Sequence, residues 1–400
     1  MTSSLLDAVV LVLGAIVLIP LWVFCAECWL ALLPGRRRRE APPGTRPRVA
    51  ILIPAHNEEE TLGETLAPLG PELQPGDRIV VVADNCTDRT AHVARSAGAT
   101  VVERHDLTHR GKGFALDFGV RSLRDDPPEV LIVLDADSLV GSGSVERLAR
   151  SALETGRPVQ ARYCFEPPPD GGTISHLSAL GLAFKNFIRP LGLSRIGVPC
   201  PLTGSGMAFP WEVIRDVPLA TGNLVEDLQL GIDLALQGKG PRFCPQAVIR
   251  SRLPGRSRAF LSQRTRWEQG HLRTLFTQVP RLVGKALRRG RIGLLGMALD
   301  LAVPPVALLM VCWGMITLLA GAAAWIGGPR VTLEFLVASG VVAGGTILVC
   351  WCVFCRREIP WTTLLYIPVY MLRKLPIYAG MLISRQREWV RTERDAATSR

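Results

Sequence analysis

The chain has 400 residues, 48% of them apolar, and its 46 Lys and Arg against 35 Asp and Glu give a formal net charge of +11. That length can hold two or three compact units, and the apolar share together with a positive mean hydropathy raises membrane segments as the first question. Much of the basic excess flanks apolar stretches, so anionic headgroups and a phosphorylated ligand account for it and no nucleic acid is expected as a partner.

In chain order, residues 5–33 form an apolar stretch interrupted only by Asp7 and Glu27. At about 1.5 Å rise per residue this is ample for a bilayer core of about 30 Å. Basic residues follow the stretch instead of preceding it, the pattern of an anchor and not of a cleaved leader. Arg36, Arg37, Arg38 and Arg39 come next. From Arg46 short apolar runs alternate with amphipathic stretches, which predicts an α/β domain with a mostly parallel central sheet. Strands are expected over 48–54, 78–83, 99–103 and 130–134, and helices over 59–69, 88–97 and 112–123. Residues 141–210 are less regular, with Pro167, Pro168, Pro169, Gly171 and Gly172 marking a surface loop but no domain break.

Two more apolar stretches, 306–327 and 335–355, are each long enough to cross a bilayer. Beyond them 359–372 and 375–384 are apolar but divided by Arg373, Lys374 and Pro376, which suits a helix lying in the interface. Lys285, Arg288, Arg289 and Arg291 precede the second span, and Arg356 and Arg357 follow the third. With the arginines after the first span, these clusters place residues 36–291 and the tail on the cytosolic side. The expected organisation is an anchor (1–35), a cytosolic domain (36–291), two spans (292–357) and an interfacial helix with a tail (358–400), in a multi-pass protein of a bacterial-type inner or plasma membrane. Cys25 with Cys28 and Cys352 with Cys355 have CxxC spacing, but both pairs fall within spans, and Cys86, Cys164, Cys200 and Cys244 form no framework. Apolar packing is the reading for all of these cysteines.

The first predicted strand ends in Pro54-Ala55-His56-Asn57-Glu58-Glu59 and the second in Asp84-Asn85-Cys86-Thr87-Asp88. Polar groups therefore gather at the strand ends where open α/β sheets take ligands, although Asn57 and Asp88 also suit helix caps. The fourth ends in Asp135-Ala136-Asp137, whose alternate carboxylates repel unless a cation offsets them. Mg²⁺ or Mn²⁺ prefers such oxygen ligands and bridges them to phosphates. Lys112, between Gly111 and Gly113 at a predicted helix start, can offset diphosphate charge beside backbone donors. Walker A spacing is absent, which argues against a P-loop NTPase. Farther on stand Thr203-Gly204-Ser205-Gly206-Met207, Glu226-Asp227 and Gln263-Arg264-Thr265-Arg266-Trp267.

In this order and at these separations, residues 48–271 resemble the inverting glycosyltransferase family 2, with its GT-A fold, in the membrane-bound branch that includes cellulose, chitin and hyaluronan synthases and ceramide glucosyltransferase. The resemblance implies that Pro54, Glu58, Asp84, Lys112, Asp135 and Arg266 contact a nucleotide-diphosphate sugar, a UDP-sugar by preference, and that Asp135 and Asp137 hold Mg²⁺ or Mn²⁺. It makes Asp227 the catalytic base and turns Gly204, Ser205, Gly206, Glu226, Gln263 and Trp267 toward the acceptor. A polysaccharide or lipid-linked acceptor is implied, with the bilayer and subunits of a polysaccharide assembly system as partners. Val225 replaces a common Thr, Ala83 stands where an acid often precedes Asp84, and His56 replaces a frequent Tyr, departures that bear on base recognition. The gating-loop motif of bacterial cellulose synthase is not seen after Trp267, which bears on processivity. One base and one cation suffice for the expected reaction, because a nucleoside diphosphate leaves without the protonation that glycoside hydrolysis requires. Three spans argue against a transporter, and the full set of acids argues against a non-catalytic scaffold.

Overall fold

The computed structural model describes residues 2–35, 46–169, 171–221, 225–253, 257–328 and 330–383, with backbone only at 2–8, 257–264, 266, 376–377 and 379–383. Helix α1 (Thr2–Leu32) precedes β1 (Val49–Ala55), α2 (Leu62–Leu66), β2 (Arg78–Asp84), α3 (Thr90–Ser96), β3 (Thr100–Arg104), α4 (Lys112–Ser122) and β4 (Val130–Val133). Then come β5 (Leu139–Val140), α5 (Ser144–Thr155), β6 (Val159–Glu166), α6 (Thr173–Ala183), α7 (Arg189–Arg195), β7 (Met207–Pro210), α8 (Trp211–Ile214), α9 (Glu226–Leu236) and β8 (Arg242–Arg252). The rest is helical: α10 (Ser257–Arg289), α11 (Ile292–Ala302), α12 (Val306–Trp325), α13 (Val331–Cys350) and α14 (Ile367–Ile383).

These elements pack as two units, one from residues 46–169 and 198–267 and the other from 2–35, 171–197 and 268–383. Residues 171–197 are apolar on several sides, with Leu177, Leu180, Leu182, Phe184 and Ile188 all buried, and Phe184 meets Phe24 of α1 ring to ring at 5.3 Å.

The first unit holds an eight-stranded sheet in the order β3-β2-β1-β4-β7-β6-β8-β5. β3, β2, β1 and β4 are mutually parallel, as the alternating pattern predicts. β7 then runs antiparallel to both β4 and β6, β6 is parallel to β8, and β5 lies antiparallel on the β8 edge. Both faces are covered. Ile51, Ile53, Val81 and Ile132 pack on one side with Leu62, Leu148 and Ala149, while Leu52, Val82, Leu131 and Val133 pack on the other with Leu116, Val120 and Leu234.

Sequence reading misses β5 to β8 for identifiable reasons. β7 is a four-residue run buried throughout, which has no period to detect. β8 contains Pro245, a residue that argues against a central strand. Its pairing with β6 jumps there, from Ala161 opposite Cys244 to Arg162 opposite Val248, so the proline sits in a bulge and disrupts no ladder bond.

In the second unit, three helical stretches among the described residues are long and apolar enough to cross a membrane: Val9–Leu32, Val306–Trp325 and Val331–Cys355. They coincide with the stretches read from sequence. Indole N–H groups join them: Trp22 donates to Ser339 Oγ at 3.3 Å, Trp29 to Thr346 Oγ1 at 3.0 Å and Trp313 to the Leu336 carbonyl at 2.9 Å. Where the alternative partner is hydrocarbon, such bonds supply helix-to-helix adhesion. Arg189 of α7 is buried between Glu27 Oε2 (2.5 Å) and Asp300 Oδ1 (2.6 Å), tying α1 and α11 together. Arg36 to Arg39 and the tail beyond residue 383 lie outside the described residues.

Candidate active site

Because β1, β2 and β4 are parallel neighbours, the loops after them emerge at one rim of the sheet. Asn57 and Asp88 join the first two loops. Asn57, in left-handed backbone (φ 55), accepts the Thr87 N–H at 2.7 Å, and Asp88 accepts the Thr90 N–H at 3.0 Å and the Glu59 N–H at 3.2 Å. Neither is the N-cap of a helix, since α2 and α3 start after Thr61 and Arg89; the two side chains instead tie one loop to the other. Pro54 is the half-buried penultimate residue of β1, and the Glu58 carboxylate accepts the Thr61 hydroxyl at 2.8 Å while its N–H reaches Thr90 Oγ1.

Asp84, at the end of β2, is 7% exposed. Its Oδ1 takes Arg104 Nη1 at 2.7 Å and Asn85 Nδ2 at 2.9 Å. Burial raises its pKa and Arg104 opposes that shift. Arg104 also holds Asp106 Oδ2 at 3.0 Å and the His109 carbonyl at 2.7 Å, so it organises the loop that leads into α4. Sequence reading does not single out Arg104. Its signal is the parallel pairing itself, which sets Arg104 opposite Asp84, and that register is invisible before the strands are aligned.

Lys112 opens α4. Its ammonium pairs with the Asp135 carboxylate and donates to the Gly204 carbonyl at 2.7 Å. Burial works to lower its pKa, but Asp135, Glu226 and Asp227 outweigh it and raise the value, so the group stays a cation. After β4, Asp135 and Asp137 are half-buried while Ala136 between them is buried. Both charges bear on the buried hydroxyl of Tyr163.

Gly204 has φ +93, and a methyl group on it would lie 3.3 Å from Asp227 Oδ2, 3.4 Å from Lys112 Nζ and 3.7 Å from Asp135 Oδ2. Three residues far apart in sequence therefore converge on this one backbone position. Gly206 (φ +69) is glycine for a different reason, since a methyl there would meet Ile249 Cγ1 at 2.6 Å and Ala161 Cβ at 2.8 Å. Between them Ser205 Oγ accepts the Asp135 N–H at 3.1 Å. Glu226 and Asp227 form the first turn of α9, where the helix dipole favours negative charge. Asp227 Oδ1 accepts the Leu228 N–H at 2.8 Å. Burial, then the Asp227 charge, pushes Glu226 up to about 7 against the pull of Lys112.

Trp267 stacks edge-on against Phe165 at 5.5 Å. The side chains of Gln263 and Arg266 lie outside the described residues. A divalent cation fits the donor set at Asp135 and Asp137 by chemistry, because carboxylate oxygens are hard ligands. No group of three His, Cys, Asp or Glu among the described residues forms a complete cage, so such a cation would take its remaining ligands from elsewhere, as Mg²⁺ and Mn²⁺ do when they bridge to phosphates.

A sheet whose parallel half ends in these loops, continued by antiparallel strands, defines a GT-A-like α/β fold. A mannosyltransferase from Pyrobaculum calidifontis, solved with GDP-Man and Mn²⁺, shares it with TM-score 0.57 and 21% identity, covering 92% of this chain and 98% of that one. The family model for glycosyltransferase like family 2 matches residues 47–270, more than half of the 400, and the chain belongs to that family of glycosyltransferases. A probable glycosyltransferase of Bacillus subtilis, YdaM, is 27% identical over 256 residues, or 56% of this chain and 55% of the relative, so the chain spans about half that protein's length. The 4,4'-diaponeurosporenoate glycosyltransferase of Staphylococcus aureus is 47% identical over 60 residues, or 15% of this chain and 16% of the relative.

Proposed function

We propose that this chain is a membrane-anchored, inverting glycosyltransferase that moves a sugar from a nucleotide-diphosphate donor, a UDP-sugar by preference, to a polysaccharide or lipid-linked acceptor. The observation that carries the proposal is the convergence of Asp135, Lys112 and Asp227 around Gly204. Inversion needs a hydroxyl made nucleophilic, a leaving diphosphate whose charge is offset, and the two held in line. Asp227 takes the proton of the acceptor hydroxyl as general base. Lys112, kept protonated by the surrounding acids, offsets charge on the departing diphosphate. Asp135 and Asp137 would hold Mg²⁺ or Mn²⁺, which when bound supplies Lewis-acid stabilisation of the leaving group. Pro54, Glu58, Asp84 and Arg266 are assigned to the donor side, and Gly204, Ser205, Gly206, Glu226, Gln263 and Trp267 to the acceptor side.

Three apolar helices and the flanking basic clusters support a multi-pass protein whose transferase domain is cytosolic, in the branch with cellulose-type synthases and ceramide glucosyltransferase, acting alone or with subunits of a polysaccharide assembly system. Purified protein given UDP-glucose or UDP-N-acetylglucosamine, Mn²⁺ and extracted lipids should release UDP. The Asp227→Asn variant should lose about 10²-fold or more of that rate and keep its donor affinity. Normal turnover by Asp227→Asn would remove the general base from the scheme and the proposal with it.

A further inference from the structure

Behind the Asp135 loop runs a chain of buried hydroxyls that the transfer chemistry does not itself require. Tyr163 of β6 is 5% exposed and its hydroxyl lies 2.9 Å from Ser251 Oγ of β8. Ser251 Oγ lies 3.1 Å from Ser138 Oγ, and Ser138 Oγ lies 2.7 Å from Ser205 Oγ. Ser205 Oγ in turn accepts the backbone N–H of Asp135. Gln160, also on β6, pins the far side of the same loop: its Nε2 donates to the Ser205 carbonyl at 2.8 Å and its Oε1 accepts the Thr203 N–H at 2.9 Å.

In each hydroxyl–hydroxyl contact either oxygen can donate, and the only direction fixed by geometry is at the end of the chain, where Ser205 Oγ accepts the Asp135 N–H. Bonds linked in this way polarise one another. The Tyr163 ring is also held from the opposite direction. Phe165 packs against it at 4.5 Å, and Trp267 packs on Phe165 at 5.5 Å.

We propose that Tyr163 is a positioning residue for the donor loop, its hydroxyl chain fixing the backbone of Asp135 and its ring joining that loop, through Phe165, to Trp267 on the acceptor side. The proposal rests on the reading of Asp135 as a donor and cation ligand. Occupancy that orders Trp267 thereby stiffens the loop carrying Asp135, and donor occupancy stiffens the aromatic stack in return.

The test uses the full chain in detergent and the Tyr163→Phe variant, which keeps the ring and removes only the hydroxyl. Ser251→Ala cuts the same chain one link on, and Leu336→Val, in the separate apolar cluster formed by α1, α12 and α13, controls for general destabilisation. Amide hydrogen exchange of the ligand-free protein over residues 131–140 should quicken about three- to tenfold in Tyr163→Phe and in Ser251→Ala, the range expected for one net hydrogen bond. The double variant should match either single one, because both break one chain, and Leu336→Val should leave this segment unchanged relative to its neighbours. With a donor that wild type turns over, the half-saturating Mn²⁺ concentration should rise by a similar factor in Tyr163→Phe with little change in kcat. Wild-type exchange over 131–140 in Tyr163→Phe overturns the proposal whatever the activity shows. Faster exchange with an unchanged Mn²⁺ requirement overturns the link to donor binding. Absence of turnover in the wild type counts against the transferase reading and leaves the exchange result to decide the hydroxyl chain.

Discussion

Replacing Gly204 with alanine tests the convergence of the site directly. The backbone there has φ +93, a region that costs an L-residue about 1–3 kcal/mol. The added methyl would stand 3.3 Å from Asp227 Oδ2 and 3.4 Å from Lys112 Nζ, with Asp135 Oδ2 at 3.7 Å. Both nearer groups must yield by a few tenths of an ångström. A misplacement of about 1 Å costs on the order of 10²-fold in reactions that depend on alignment, so a shift of this size predicts a loss of about tenfold in kcat. Gly98 supplies the control: its φ is +81, and nothing lies within 4 Å of a methyl built there. Gly98→Ala should therefore lower stability by a comparable 1–3 kcal/mol, roughly, while leaving turnover alone. Thermal unfolding and initial rates of UDP release on both variants separate backbone strain from crowding of the acids. Wild-type turnover in a folded Gly204→Ala protein would show that the space between Asp135, Lys112 and Asp227 is not where the reaction occurs.

Three other substitutions follow from the same geometry. Lys112→Met removes the cation among Asp135, Glu226 and Asp227, and isothermal titration should show donor affinity reduced about tenfold or more, since hydrogen bonds to charged groups contribute about 1.5–3 kcal/mol. Arg104→Met leaves Asp84 buried without its partner and should cost about 3 kcal/mol in denaturant unfolding, the order seen when one half of a buried pair is removed. Glu226 titrates near 7 in the folded protein against 4.5 unfolded. A raised carboxyl pKa means that its contribution is fully present below about 4.5 and is lost as pH climbs through about 7. Melting temperature against pH should accordingly decline less across that window in Glu226→Gln than in wild type, and identical profiles would show that Glu226 is not held neutral by its burial.

Much of the site was legible in the sequence because its residues fall at the ends of locally patterned elements. Apolar runs at β1, β2 and β4 announce parallel strands, and whatever follows such a strand stands at the ligand-binding rim. That places Asp135 and Asp137 at the rim before any coordinates are known, Lys112 is singled out by its place between two glycines at a helix start, and three long apolar stretches needed only their composition to be found. Asp84 could be located in the same way, but not its environment: only the alignment of β2 with β3 reveals that Arg104 already occupies its carboxylate.

Tertiary structure alone decided the convergence and what supports it. Asp227 and Gly204 meet Asp135 because β7 returns antiparallel beside β4 and α9 starts where the 203–207 loop passes, a long-range pairing that no local period encodes. Tyr163, Ser251 and Ser138 come from a strand, another strand and a turn whose pairing runs through a bulge at Pro245, so their hydroxyls carry no signal until the sheet is assembled. The packing of residues 171–197 with α1 was hidden for the same reason. Hydrophobic period and strand-end chemistry are local properties of the chain, whereas strand register and helix docking are settled by burial summed over the whole fold.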